Sequence, residues 1–224
     1  MENTFQKLSI QTGVLYTNAD RTPNYSIIGV SGNKISLPPG VAYFGIVYQG
    51  HITVTDKFGT CTLSAGMSFV VSEGEVDASR LPDGQGIIIR MENYKGLRQF
   101  CGPIEDEGRL KYLDNCYDTI IVSPAKSGDP CLNHLHIPKQ VKQTPHTHPS
   151  DRVGIVIKGQ AECILKNETT MLQPGHLWVI PPDCLHSFNT YNEAIDLITW
   201  HPDSDFGPTD DNHPMINRTV PVNK

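Results

Sequence analysis

The chain has 224 residues, 19% of them charged and 38% hydrophobic, with a formal net charge of −6. That length suits one large or two small domains with buried cores, and the charged share is too low for a disordered polyelectrolyte. Lys and Arg are scattered with no basic face, no apolar run nears a membrane span, and the start Met1-Glu2-Asn3-Thr4-Phe5 lacks the basic and apolar regions of an export signal. The expectation is a cytoplasmic protein with a small-molecule partner, no nucleic acid and no membrane. Its six cysteines, none in a CxxC pair, read as reduced thiols.

In chain order, runs rich in Val, Ile, Tyr and Thr predict strands at 25–30, 43–48, 51–55, 68–71 and 87–91. From about Glu105 to Leu113, Glu107, Arg109 and Lys111 interleave with Leu110 and Leu113, which predicts a helical piece of linker. Strands resume at 119–122, 153–157, 161–165, 177–180 and 195–200. From His201 onward, Asp203, Asp205, Asp210, Asp211 and several prolines predict an irregular acidic tail laid over one domain. The fold class is all-β, a sandwich or barrel.

An internal repeat organises these strands. Gly45–Gly50 with Gly66–Val71 matches Gly154–Gly159 with Gly175–Ile180 at a constant offset of 109 residues. At the same offset Asn24–Ile27 falls on Asn133–His136, and Ile87–Arg90 on Asp196–Thr199. The expected organisation is a first copy over 1–96, a linker over 97–118, a second copy over 119–202 and a tail over 203–224. The halves are expected to share an intimate interface, and a homodimer is left open.

The second copy carries His146-Thr147-His148 ahead of the strand that ends at Gly159, and His186 eleven residues after Gly175. In a strand, side chains two apart share a face, so a His-x-His pair aims two imidazoles into one space. A third imidazole closes a triangle suited to Fe, Zn, Cu or Ni, with positions left open for water or substrate.

Together these residues resemble the cupin superfamily. Its first motif sets a Gly, a His-x-His, a Glu and a Gly; its second sets a Gly, a Pro six residues later and a His eleven later. His146, His148 and Gly159 fit the first, and Gly175, Pro181 and His186 the second. The resemblance covers about residues 10–92 and 118–202 and implies a bicupin, two tandem jelly-roll (double-stranded β-helix) barrels. It implies one divalent ion per chain at His146, His148 and His186, with Fe(II) favoured and Zn, Ni, Mn or Cu open. Three departures stand out. Arg152 occupies the place of the motif Glu, and a guanidinium cannot ligate a cation; the site then resembles the three-His iron sites of cupin thiol and diketone-cleaving dioxygenases. Asp183 replaces a motif Gly. The offset maps His146 to Leu37, His148 to Pro39, Arg152 to Tyr43 and His186 to Asp77, so the first barrel is expected to be metal-free.

The expected activity is O2-dependent oxidation of a small anionic molecule. Arg152, if turned inward, offers a planar fork to a substrate carboxylate. His134 and His136 form another His-x-His; one reading has them line the same barrel and bind substrate, the other places them at a surface. Cys184 reads as a pocket thiol or a buried filler, and His201 or His213 as residues at the pocket mouth. Two other functions stay open: a redox-neutral isomerase, cyclase or lyase, and a small-molecule binder without turnover.

Overall fold

In the computed structural model, which describes residues 4–19, 22–80 and 83–222, the runs expected to be strands form strands. The first half contains β1 (Gln6–Ser9), β2 (Gly13–Asn18), β3 (Tyr25–Ser31), β4 (Lys34–Leu37), β5 (Ala42–Gln49), β6 (His51–Asp56), β7 (Gly59–Ser64), β8 (Ser68–Val71), β9 (Gly74–Asp77) and β10 (Gln85–Met91). The linker holds β11 (Gln99–Cys101) and β12 (Leu110–Lys111). The second half contains β13 (Tyr117–Val122), β14 (Cys131–Ile137), β15 (Arg152–Gly159), β16 (Ala161–Leu165), β17 (Thr169–Leu172), β18 (His176–Ile180), β19 (His186–Asn189) and β20 (Ile195–His201), then the short helix α1 (Pro214–Asn217).

Each half folds as two facing antiparallel sheets. The first barrel pairs the order β11-β8-β5-β10-β3-β2 with β4-β9-β6-β7; the second pairs β1-β18-β15-β20-β14-β13-β12 with β17-β16-β19. Strand alternation sorts side chains into three cores. Tyr43, Val47, Leu63, Phe69 and Ile88 fill the first barrel. Leu135, Val156, Trp178, Phe188 and Leu197 fill the second. Between them the outer faces of the two large sheets meet, bringing Tyr25, Ile27, Phe44 and Ile89 against Val153, Ile155, Ile198 and Trp200.

The barrels also trade strands. β1 pairs with β18 of the second barrel, while β11, which leads into the second half, pairs with β8 of the first. Each barrel's edge is thus covered by the leading strand of the other copy. Residues 6–9 therefore sit on the second barrel's sheet, although the repeat had them within a first unit of 1–96.

The repeat extends to packing detail. Gly45 on β5 lies under Phe69, and Gly154 on β15 lies under Trp178, 109 residues on in both cases; a Cβ would come within 1.9 Å and 2.0 Å of those rings. Gly154→Ala is accordingly expected to cost about 3 kcal/mol by overpacking. A thermal melt within a degree of wild type would show that Trp178 moves aside freely.

The linker differs from its expected form. The linker holds only a single turn, Leu113–Asn115, in which Asp114 and Asn115 take left-handed φ of 55° and 62°, and 105–109 is irregular. The Glu105–Arg109 pair forms, but at the surface, where i,i+4 ion pairs contribute a few tenths of a kcal/mol. The tail lies on the second barrel, where Ser127 N–H donates to Pro208 O at 2.9 Å and Lys126 pairs with Asp210 at 2.9 Å. No helix among the described residues is long and apolar enough to cross a membrane. All six cysteines are unpaired.

Candidate metal centre

His146 and His148 lie on the extended segment ahead of β15 rather than inside a strand. A lone antiparallel bridge joins His146 to His186, the first residue of β19, through His146 N–H to His186 O at 2.9 Å and the reverse bond at 3.0 Å. Asp183 N–H donates to His148 O at 2.8 Å, and Asp183 has φ of 58°. Asp tolerates this left-handed conformation, so the departure from the motif Gly keeps the turn.

The three rings converge. Their centroids are 5.0 Å apart for His146–His148, 4.6 Å for His146–His186 and 5.2 Å for His148–His186, and one nitrogen of each lies within 4.8 Å of the others. His146 Nδ1–H donates to Thr144 O at 2.9 Å, and His186 Nδ1–H to Cys184 O at 2.8 Å. These bonds orient the rings and leave the Nε2 lone pairs for an ion. Burial, then the charges of Arg152, His186 and His146, push His148 down to about 3. Burial is also the main cause of the fall of His186 to about 4. His148 and His186 are therefore neutral at pH 7, the form that binds metal. This donor set fits a divalent transition ion.

A cavity of about 80 Å³ adjoins the triangle and is lined also by Tyr112, Asp118, Trp178, Thr199, His201 and Arg152. Arg152 faces inward. Its Nη1 donates to Ser150 O, Ser150 Oγ and Asp151 O at 3.1, 2.6 and 3.0 Å, and its buried Nε has no partner. No ion pair engages it among the described residues, so burial lowers its pKa from the usual value. Asp151 turns the other way, as alternation requires, and accepts from Asn18 Nδ2 of the first half at 3.1 Å.

His134 and His136 do not line this cavity. On β14 the inward positions are Asn133 and Leu135, and both histidines point to the junction side, bonded to Asp196. Cys184 acts through its carbonyl on His186, not as a pocket thiol. His201 reaches the cavity; His213 instead caps α1, accepting from Ile216 N–H at 3.4 Å.

The positions of the first barrel equivalent to His146 and His148 are Leu37 and Pro39, and the counterpart of His186 needs one correction. Leu37 pairs with Gly74 as His146 pairs with His186, so Gly74, not Asp77, is that counterpart. The β18–β19 turn, Pro181–Leu185, is longer than the Ser72-Glu73 turn between β8 and β9, and this shifts the offset. Asp77 serves its own turn, accepting from Ser79 and pairing with Lys34 and Arg80.

Sequence reading missed Asp118. Burial raises its carboxyl to about 6, against the pull of Asn133, whose Nδ2 donates to it at 2.5 Å. The available signal was a lone acid on the inward face of a β run. A buried acid with a raised pKa costs stability once ionised, so the penalty is absent below pH 3.8 and complete above pH 6. Asp118→Asn is expected to stabilise the chain at pH 8 by up to about 2–3 kcal/mol, at 1.36 kcal/mol per pKa unit, and to leave it unchanged at pH 3.5. Equal melting shifts at both pH values would contradict this.

Residues 133–201 match the family model for the cupin domain. A sequence comparison with curated proteins finds no match. Among solved structures, the cupin 2 conserved barrel domain protein from Leptotrichia buccalis superposes with a TM-score of 0.58 at 12% identity, covering 91% of each chain. Salicylate 1,2-dioxygenase from Pseudoaminobacter salicylatoxidans gives 0.60 at 12% identity, over 80% of this chain and 71% of that one. Oxalate decarboxylase from Bacillus subtilis, which has Mn(II) centres, gives 0.55 at 10% identity, over 90% and 78%. At these identities the likeness is one of fold, a cupin-type jelly roll, and the family-model match is confined to residues 133–201 of the second barrel.

Proposed function

We propose that this chain is a non-haem Fe(II) enzyme that oxidises a small anionic organic molecule with O2 in the second barrel. One observation carries the reading: three converging imidazoles share a cavity with a largely buried guanidinium that makes no direct ion pair among the described residues. His146, His148 and His186 hold the ion, which when bound supplies Lewis acidity and redox chemistry at its open positions. Three neutral ligands leave its 2+ charge intact, so an anion completes the site. Arg152 orients a substrate carboxylate through its planar fork. Trp178, Phe188 and Leu135 keep the cavity apolar on the remaining side. The dioxygenase neighbour shares the fold and is consistent with this chemistry.

The test is anaerobic loading with Fe(II), followed by O2 uptake with aromatic carboxylates, thiol carboxylates and 1,3-diketones. Substrate-dependent O2 consumption, lost in His186→Ala, is the expected result. Asp118 favours a second reading. A carboxyl titrating near pH 6 beside the cavity can hold or deliver a proton at neutral pH, which suits redox-neutral isomerisation or elimination. Turnover under argon without O2 uptake selects that reading, and binding without turnover makes the chain a ligand carrier.

Arg152 gives a further check. A guanidinium 4–8 Å from an ion opposes it by about 2–4 kcal/mol per unit charge at an effective dielectric near 20. Arg152→Glu is expected to tighten metal binding at least about tenfold while raising KM, and Arg152→Lys to recover part of the loss. Unchanged metal affinity with normal kinetics would remove the anionic-substrate argument.

A further inference from the structure

A second group of ligand-bearing side chains lies outside the three-His cavity. β14 turns His134 and His136 toward the barrel junction, and Asp196 stands directly across from His136 on β20. Asp196 Oδ1 accepts from His134 Nε2 at 2.9 Å and from His136 Nδ1 at 2.8 Å. All three residues are buried, and one ligand atom of each lies within 4.8 Å of the others. Against Asp196 opens a crevice of about 300 Å³, lined also by Tyr48, Glu105, Asp106, Ile157 and Lys158.

We propose that His134, His136 and Asp196 form a second binding site for a divalent first-row transition ion, at the junction of the two barrels. At a ligand bond of about 2.1 Å, neighbouring corners of an octahedron are about 3.0 Å apart. The two nitrogen–oxygen separations, 2.8 and 2.9 Å, already match that edge. Two imidazoles with one carboxylate on a single face is a donor set that Fe, Zn, Ni and Mn all accept. The carboxylate cancels half of a 2+ charge, which the three-His triangle does not. The crevice has room for water at the remaining positions, and Glu105 on its wall brings a second negative charge near His134. The facing cations are Lys158, opposite Asp196 on β15, and Arg109, which is held by Glu105. An ion here would fasten β14 to β20 beside the linker. This site shares no residue with the cavity site: His134, His136 and Asp196 leave the large sheet on its junction side, whereas His146 and His148 lie ahead of β15 and His186 is on β19 of the smaller sheet.

The test is metal stoichiometry on the full chain. Protein stripped with chelator and titrated with Co(II) is expected to bind two ions per chain by elemental analysis, with two sets of d–d bands. His146→Ala/His186→Ala should retain one ion, and adding His136→Ala to that chain should remove it. Asp196→Asn alone should bind one ion and keep the cavity bands. A single ion in wild type overturns the proposal, as does a second ion that survives both His136→Ala and Asp196→Asn. Either result would leave the His–Asp–His group a hydrogen-bonded clasp. Should the combined variant fail to fold, the wild-type count and Asp196→Asn decide alone.

Discussion

The His146→Ala/His186→Ala chain is expected to bind its cavity ion about 10⁴-fold more weakly than wild type and to lose any metal-dependent turnover. Four-ligand structural zinc sites bind with about 10–16 kcal/mol, or roughly 3 kcal/mol per ligand. Removing two imidazoles of three therefore costs about 6 kcal/mol, and 1.4 kcal/mol is tenfold in Kd. The clearest readout is thermal. At 100 times Kd, Co(II) should stabilise wild type by about 2.7 kcal/mol at the cavity site, and that part of the gain should vanish in the variant. The metal-free chains should rank the other way in acid. His186 is depressed to about 4 by burial, so the folded protein resists a proton that the unfolded chain takes up below pH 6.5. The metal-free wild type thus loses up to about 3 kcal/mol between pH 6.5 and pH 4 through His186, and the variant is spared this loss. An unchanged Co(II) shift in the variant, or an identical acid profile, would show that these imidazoles neither ligate nor suffer burial together.

Separating the barrels is expected to unfold both. The junction core holds 17 buried residues, nine from the first half and eight from the second. Exposing an aliphatic or aromatic side chain costs about 1.5–3 kcal/mol, and a domain has only about 5–15 kcal/mol in total. Even partial exposure of the junction side chains exceeds that margin. Halves 1–96 and 97–224 also strand β1 and β11 on the wrong fragments. Expressed alone, each should be insoluble or self-associated; expressed together, they should copurify as one complex with metal at the cavity. Trimming only residues 1–10 is a milder form. It uncovers the β18 edge and removes Phe5, Leu8 and Ile10 from the cores they pack on, for an expected loss of about 3–5 kcal/mol. Two monomeric, stable halves would contradict the account.

The triangle of His146, His148 and His186 was legible in the sequence because metal chemistry restricts residue type and the Gly/Pro framework fixes turns around it. The orientation of Arg152 stayed open in the sequence, because a bulge ahead of β15 would have turned it to solvent; strand pairing with Ile180 from the first residue of β15 sets it toward the cavity. His134 and His136 were misplaced for a related reason. Alternation divides a strand into two faces without saying which faces the cavity, and β14 is largely buried on both. A half-exposed strand would have declared itself. The counterpart of His186 was misassigned because a turn of different length moved the offset, and only strand pairing exposes the shift. β1 was missed because an edge strand of four residues, Gln6–Ser9, has one inward face and little pattern. The linker helix failed where Glu105 and Arg109 supplied an ion pair but no apolar face to bury.

The traded strands set an order of events during synthesis. β1 is made before the other described strands, yet its partner β18 is not complete until residue 180. The nascent first barrel can be sealed by β11 as soon as residue 101 emerges. Its own leading segment, though, stays unpaired until β18 of the second half is made. β1 therefore waits through about 170 residues of synthesis for its partner, and a chain cut short before β18 cannot pair it.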